Sequence, residues 1–163
     1  MLQIGLLSDT HGYLPDRIKE FLSSCDEIWH AGDIGSLQVL KSLQAIKPVR
    51  AVYGNIDGPG IRAQIPENQR FYAEKVDVWM THIGGYPGKY DKQVRETIQQ
   101  KPPKLFISGH SHILKVMPDK QLNLLHINPG AAGKAGFHKK RTAVSFIIDK
   151  EDIRDLQVFE MPR

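Results

Sequence analysis

Six short polar clusters carry the residue types that metal-assisted chemistry needs: Asp9-Thr10-His11, Gly32-Asp33, Gly54-Asn55-Ile56-Asp57, Thr81-His82, Gly109-His110-Ser111-His112 and Asn128-Pro129-Gly130. Imidazole nitrogen, carboxylate oxygen and amide oxygen together suit Mn, Fe, Zn, Ni or Co, while the shortage of carboxylates disfavours Ca or Mg. In an extended segment residues i and i+2 point to the same side. Asp9 with His11, and His110 with His112, are therefore each expected to aim two donors at one point. Cys25 is the only cysteine, which excludes an intrachain disulfide and a thiolate-rich zinc site; it reads as a small buried apolar residue.

The elements that must position these clusters are legible as alternating short apolar runs and helical patterns. Leu2 to Leu7, Ile28 to His30 and Val49 to Tyr53 are strand-like, and each ends in a turn containing Gly or Asp. Between them, Leu14, Ile18, Phe21, Leu22 and Cys25 recur at spacings of three and four behind Pro15 and Asp16, which predicts a helix. A second helix follows Ser36, a good N-cap, with Leu40, Leu43 and Ile46 on one face before Pro48 stops it. Strand, helix, strand, helix, strand implies parallel pairing with right-handed crossovers.

The later half is richer in strands. Phe71 to His82 reads as a strand pair, Asp91 to Lys101 as a helix ended by Pro102-Pro103, and Leu105 to Ser108 as a strand. Hairpin-like runs follow at Ile113 to Met117, then a Pro118-Asp119-Lys120 turn, Leu122 to Ile127, Thr142 to Ile148 and Leu156 to Phe159. The pattern implies two packed sheets flanked by helices. The polar clusters fall where strands run out, which is where open α/β sheets place their ligands.

With 163 residues the chain is expected to form one domain over 1–163, and 40% hydrophobic against 25% charged residues excludes disorder, collagen and coiled coil. No apolar run is long enough for a membrane span, and the apolar start lacks a basic region and soon meets Asp9 and His11. A secretory signal is not expected, and the cytoplasm is the default compartment. The 22 Lys and Arg against 18 Asp and Glu give +4. That suggests an anionic partner, yet it is weak for a dedicated nucleic-acid binder. The run Lys139-Lys140-Arg141, beside Lys134 and His138, reads as a solvated loop, with contact to an anionic substrate or a neighbouring subunit as the alternative. Trp29 and Trp79 read as core.

The ordered series Asp-x-His, Gly-Asp, Gly-Asn-x-Asp, His, Gly-His-x-His resembles the calcineurin-like metallophosphoesterase family over almost the whole chain, and the short length resembles its small bacterial and archaeal phosphodiesterase branch. The resemblance implies a four-layer αββα sandwich of two mixed β-sheets flanked by helices, with a dimetal site at the strand ends. It puts Asp9, His11 and His112 on a first metal, Asn55, His82 and His110 on a second, and Asp33 across both. Asn55 and Asp57 are the expected catalytic residues beyond the metals, Asn55 by donating to a phosphoryl oxygen and Asp57 by orienting its neighbours. Two divalent transition-metal ions are implied, Mn first, with Zn, Fe, Ni or Co as alternatives. Two such ions, less two carboxylates and a bridging hydroxide, leave about +1 to receive an anionic phosphoryl group. The implied reaction is in-line hydrolysis of a phosphodiester by that hydroxide.

The sequence departs from the family pattern at two places. Ile56 stands where many members have a histidine proposed to help the leaving group depart, so the acid must come from elsewhere or the leaving group must leave unaided. Ala131 follows Asn128-Pro129-Gly130 where the family usually has Ser, so one hydroxyl near the site is absent. His30 reads as a hydrogen-bonded core residue or as a partner of the metal loops, His126 as structural, and His138 as exposed. Tyr13 reads as loop packing, with stacking on a substrate ring as the alternative. Gly84, Gly85 and Gly88 around Tyr86 predict a flexible loop.

The leading function is a metal-dependent phosphoesterase acting on a small anionic phosphoester, with no membrane partner and a homo-oligomer allowed. A protein-interaction scaffold is the competing class, since the retromer scaffold subunit resembles this fold; a complete set of competent donors favours the enzyme. A metal-dependent nuclease is the third reading. Mild basic charge supports it, and the lack of an aromatic-basic surface counts against it.

Overall fold

A computed structural model describes residues 1–163. In chain order its elements are β1 (Leu2–Leu7), α1 (Asp16–Leu22), β2 (Glu27–His30), α2 (Leu37–Gln44), β3 (Val49–Ala51), α3 (Pro59–Arg62), β4 (Asn68–Ala73), β5 (Val76–Thr81), β6 (Gly85–Tyr86), β7 (Lys89–Tyr90), α4 (Lys92–Gln100), β8 (Leu105–Ile107), β9 (Leu114–Asp119), β10 (Leu124–Pro129), β11 (Lys140–Asp149) and β12 (Asp152–Pro162).

Two five-stranded sheets form, in the orders β12-β11-β1-β2-β3 and β4-β5-β8-β10-β9, with a small separate β6-β7 ribbon. In the first, β1, β2 and β3 run parallel, as the alternating strand and helix pattern requires, and β11 and β12 extend the sheet antiparallel. In the second, β5, β8 and β10 run parallel, flanked by antiparallel β4 and β9. Both sheets are therefore mixed.

Strand alternation separates the core into layers. Ile4, Leu6, Trp29, Val144 and Phe146 from the first sheet meet Val78, Met80, Leu105, Ile107 and Ile127 from the second, a fully apolar filling between the sheets. The opposite side of the first sheet, with Leu7 and Ile28, packs against Ile18 and Leu22 of α1 and Val39, Leu40 and Leu43 of α2. The outer side of the second sheet, with Trp79 and Phe106, packs against Val94 and Ile98 of α4. Helices thus cover both outer faces, an αββα sandwich. No helix is long and apolar enough to cross a membrane.

Local chemistry explains most element boundaries. The Ser36 side chain accepts from the Val39 N–H and opens α2, and Asp91 accepts from the Gln93 N–H to open α4. Leu14 and Cys25 fall outside α1, yet Leu14 packs on the same cluster as the helix and Cys25 is buried. Three expectations are corrected. Gly85–Tyr86 and Lys89–Tyr90 pair as a ribbon instead of forming a loose loop. Pro118 and Asp119 lie within β9, where an edge strand tolerates a proline that donates nothing, so the turn falls later. Lys140 and Arg141 lie in β11, not in a loop, and Lys140 pairs with Glu160 on the neighbouring strand at 2.9 Å. The short helix α3 was not anticipated, although Gly58 followed by Pro59 is a helix-start signal.

Candidate metal centre

All the strand-end clusters with candidate ligands follow parallel strands. Asp9 and His11 follow β1, Asp33 follows β2, Asn55 follows β3, His82 follows β5, and His110 and His112 follow β8. The carboxyl ends of these strands converge from both sheets. Two donor groups result: Asp9, His11 and His112 form one, and Asp33, His82 and His110 the other, with the ligand atoms of each within 4.8 Å of one another. The Asn55 Oδ1 lies 3.1 Å from His110 Nδ1, beside the second group.

The convergence does not arise from extended backbone, as the two-residue spacings suggested. Asp9, His11, Asp33, His110 and His112 all have φ between 46° and 72°, in the left-handed region. His110 and His112 consequently diverge into different groups instead of aiming at one point. Asp and His tolerate this conformation better than most residues, yet each such position costs on the order of 1–3 kcal/mol. The strain is held by ties between loops: the Asp9 N–H donates to Gly32 O at 2.9 Å, the His11 N–H to Asp33 O at 3.0 Å, and the Gly133 N–H to Asp9 O at 3.1 Å.

Each carboxylate has one oxygen fixed and one left for the centre. Asp9 Oδ2 accepts from the Ser8 hydroxyl at 2.7 Å and the His110 N–H at 3.1 Å. Its Oδ1 has no hydrogen-bond partner, and the Nε2 atoms of His112, His82 and His11 stand 3.3, 3.7 and 3.8 Å from it. Asp33 Oδ1 accepts from the Ile56 N–H at 3.1 Å, while Oδ2 lies 3.3 Å from His11 Nε2 and 3.2 Å from His82 Nε2, between the two groups. His82 Nδ1 donates to Ala31 O at 2.7 Å, which leaves Nε2 as the lone-pair nitrogen. The Nε2 atoms of His11 and His82 are buried without hydrogen-bond partners.

Three such orphaned atoms converging on one place, with oxygen and imidazole donors only, fit divalent transition-metal ions. The electrostatics agree. Burial alone would raise the Asp9 carboxyl, but the facing imidazoles of His11, His112 and His82 and the Ser8 hydroxyl hold it well below the carboxylate range. The Asp9 carboxylate in turn raises the His11 imidazole. His82 is also raised, because Asp33 and Asp9 outweigh the burial that would lower it.

Backbone glycines permit this density. A Cβ at Gly54 would lie 2.1 Å from Asp33 Oδ1, and one at Gly109 would lie 2.2 Å from Ser8 Oγ and 3.0 Å from Asp9 Oδ2.

The remaining expected residues take supporting or peripheral places. The Asp57 carboxylate accepts from the backbone N–H groups of Ile34, Gly35 and Gly54 at 3.1, 2.8 and 2.8 Å, tying the loops after β2 and β3 together. Asn128 donates to Gly109 O and Ser111 Oγ, both at 3.0 Å, and so braces the loop carrying His110 and His112. His30 is fully buried: its Nδ1 accepts from the Gly32 N–H, its Nε2 meets Thr10 Oγ1 at 3.0 Å, and burial drives it down to about 4. It is a core histidine and cannot deliver a proton to a substrate. His138 corrects the reading as an exposed residue, since it is half-buried, edge-on to His112 with ring centres 5.2 Å apart. The Tyr13 ring carries Lys134 at 4.5 Å and Arg141 at 5.0 Å.

Two contributors escaped sequence reasoning. Ser8 reads as an ordinary strand residue, and only the fold shows its hydroxyl on Asp9. Arg62 donates to Asp57 O at 2.6 Å and stacks on Tyr53 at 4.4 Å, which braces the turn carrying Asn55. Recognising α3 from Pro59 would have pointed to it.

This architecture and donor set define a class: an α/β sandwich with ligand-bearing loops at the carboxyl ends of its parallel strands. The chain belongs to the calcineurin-like phosphoesterase superfamily, whose domain matches residues 2–151. A probable metallophosphoesterase of Methanothermobacter thermautotrophicus is 33% identical over 138 residues, 78% of this chain and 76% of that protein. A phosphodiesterase of Methanocaldococcus jannaschii is 29% identical over 149 residues, 79% of this chain and 83% of that protein. The solved structure of an archaeal phosphodiesterase shares the fold with a TM-score of 0.77 at 24% identity, over 97% of this chain and 100% of that one. Wild-type Vps29 of Entamoeba histolytica, complexed with zinc, shares it with a TM-score of 0.76 at 14% identity, over 99% of both chains.

Proposed function

We propose that this protein is a dinuclear metal-dependent phosphodiesterase, with Asp9, His11 and His112 holding one ion, Asn55, His82 and His110 the other, and Asp33 bridging them. The observation that carries this is the pair of carboxylates whose second oxygens, an unpartnered Asp9 Oδ1 and Asp33 Oδ2, face the Nε2 atoms of His11, His82 and His112. Divalent ions, Mn first among Mn, Zn, Fe, Ni and Co, would supply an activated water and offset the phosphoryl charge. The chain's own residues do the rest. Asp33 Oδ2 lies equally near His11 and His82, as a bridging ligand requires. Asn55 presents its amide at the exposed mouth, where its N–H groups can donate to a phosphoryl oxygen. Asp57 and Asn128 fix the loops that carry these residues.

Support for a diester substrate comes from the phosphodiesterase relative. The fold likeness to Vps29 is equally compatible with a scaffold; the complete donor set favours the enzyme.

The test exploits Ile56, whose side chain is 46% exposed at the mouth and cannot donate a proton. With His30 buried away from substrate, the rate depends steeply on leaving-group pKa, so aryl phosphodiesters should exceed alkyl ones of similar size by roughly 10²–10⁴-fold in kcat/KM, the size of ordinary general-acid assistance. Ile56→His should flatten that dependence. No hydrolysis of any phosphoester by protein carrying two ions would instead favour the scaffold.

A further inference from the structure

A pair of cations stands at the rim of the centre on the Asp9 side, outside the donor set. β11 runs antiparallel to β1, so its first residues, Lys140 and Arg141, lie at the end of the sheet where β1 delivers Asp9 and His11. The segment before β11 returns to the same place. There the Ala132 N–H donates to Ser8 O at 2.9 Å and the Gly133 N–H to Asp9 O at 3.1 Å, which sets Lys134 next to the first ligand loop. Tyr13 is two residues on from His11, so their Cα atoms are at most about 7.6 Å apart. Its ring gathers both cations, with Lys134 Nζ at 4.5 Å and the Arg141 guanidinium carbon at 5.0 Å.

Neither cation has an acid. The ion pairs nearby join Asp16 to Lys19 and Lys140 to Glu160, and leave Lys134 and Arg141 out. Lys134 is exposed and Arg141 half-buried. Of the Arg141 donors only Nε is closed off, without a partner, while the two Nη groups reach the surface. A guanidinium has donors and no acceptor, so those groups can be satisfied only by an acceptor from outside. Two like charges drawn onto one ring also repel each other, and an anion between them removes that cost. The support is ordered: His138 Nε2 donates to Gly133 O at 2.7 Å, which closes the segment on itself, and the His138 ring sits edge-on to His112.

We propose that Lys134, Arg141 and Tyr13 form a second anion subsite, which takes a phosphate carried on the same small molecule as the phosphoryl group at the centre. The substrate class is then a phosphoester with a further phosphate a short linker away. This rests on the phosphoesterase reading, because the centre holds the other end of the molecule. A loaded centre keeps only about one positive charge, enough for a single phosphoryl group, so a second one needs these cations.

The experiment compares binding of adenosine 3′,5′-bisphosphate and adenosine 5′-monophosphate to Mn-loaded protein by calorimetry. The bisphosphate should bind about tenfold more tightly, as expected for charge-assisted hydrogen bonds at a partly exposed site. Lys134→Ala and Arg141→Gln should each reduce that preference about threefold, and the double variant should bring it close to one. Lys139→Ala removes the same charge from the same run at another exposed position and should leave the preference intact. If Arg141→Gln fails to fold, Lys134→Glu should abolish the preference by itself. Equal affinity for the two nucleotides overturns the subsite and leaves the phosphoesterase reading standing, as does a preference that survives the double variant or falls as far in Lys139→Ala. A single-stranded decanucleotide that binds more tightly than the bisphosphate, and loses affinity equally in all three single variants, overturns the small-molecule choice in favour of diffuse nucleic-acid contact. Failure of both nucleotides to bind protein that holds two ions overturns both readings.

Discussion

The two sheets contribute to the centre in different chemical currencies. The first sheet supplies every oxygen donor, Asp9, Asp33 and Asn55, with His11 as its single imidazole; the second supplies imidazoles alone, from His82, His110 and His112. Neither sheet could assemble a centre by itself, since the Asp9 group takes His112 from across the sandwich and the Asp33 group takes His82 and His110. The support differs as well. The two carboxylates are fixed through their second oxygens by Ser8 and by backbone N–H groups, whereas His82 is fixed through Nδ1 and the His110 and His112 loop by the Asn128 brace. That two donor groups form side by side is therefore a property of how the sheets pack, with the apolar layer of Trp29, Phe146, Met80 and Ile107 between them.

The strongest way to break that division is to remove the one oxygen donor that faces both groups. Asp33→Ala should cost more metal than any other single change and lower activity beyond the roughly 10–100-fold typical of losing an outer partner, whereas His82→Ala should empty mainly one site. Metal analysis of the purified variants decides it; retention of two ions by Asp33→Ala would contradict bridging.

A smaller perturbation acts on the seam between sheets. Gly109→Ala, with a Cβ placed 2.2 Å from Ser8 Oγ, should push the His110 loop off Asp9 and weaken metal affinity by about 10–100-fold while leaving the far-UV circular dichroism unchanged. A titration with Zn against a competing chelator measures this, and wild-type affinity would show that the seam has more slack than its distances imply.

The smallest expected effect sharpens the comparison through acid stability, since each sheet buries one neutral histidine. Burial drives both His30, in the first sheet, and His126, in the second, down to about 4 from the ordinary 6.5. The unfolded chain binds more protons in that window, so their contribution is complete above about pH 6.5 and is lost as pH falls towards 4. Each contributes at most roughly 3 kcal/mol over the full window, at 1.36 kcal/mol per pH unit. His11 and His82 have the opposite sign: their pKa values are raised, so their contribution is present below pH 6.5 and is lost only as pH rises. Urea unfolding in chelator at pH 6.5 and 5.0 should show lower stability at pH 5.0, and His126→Gln should shrink the difference by up to half. An unchanged difference would mean that His126 titrates normally.

Sequence patterning carried much of this protein. The alternation of Leu2–Leu7, Glu27–His30 and Val49–Ala51 with helices opened by Pro15 and Ser36 depends on local periodicity and caps, so it could be read directly, as could the donor types and the departure at Ile56. Ser8 and Arg62 could not be singled out, because nothing in their neighbourhood announces that a hydroxyl will meet Asp9 or that a guanidinium will brace the Asn55 turn. The spacing argument for His110 and His112 also had to give way, because it assumed extended backbone where the chain turns left-handed. The left-handed turns at Asp9, His11 and Asp33 are held by backbone groups from other loops, and that is a long-range condition. Which donors exist, and on which strand ends, is a property of the sequence. Which of them come together was decided when two sheets distant in sequence packed through one apolar layer.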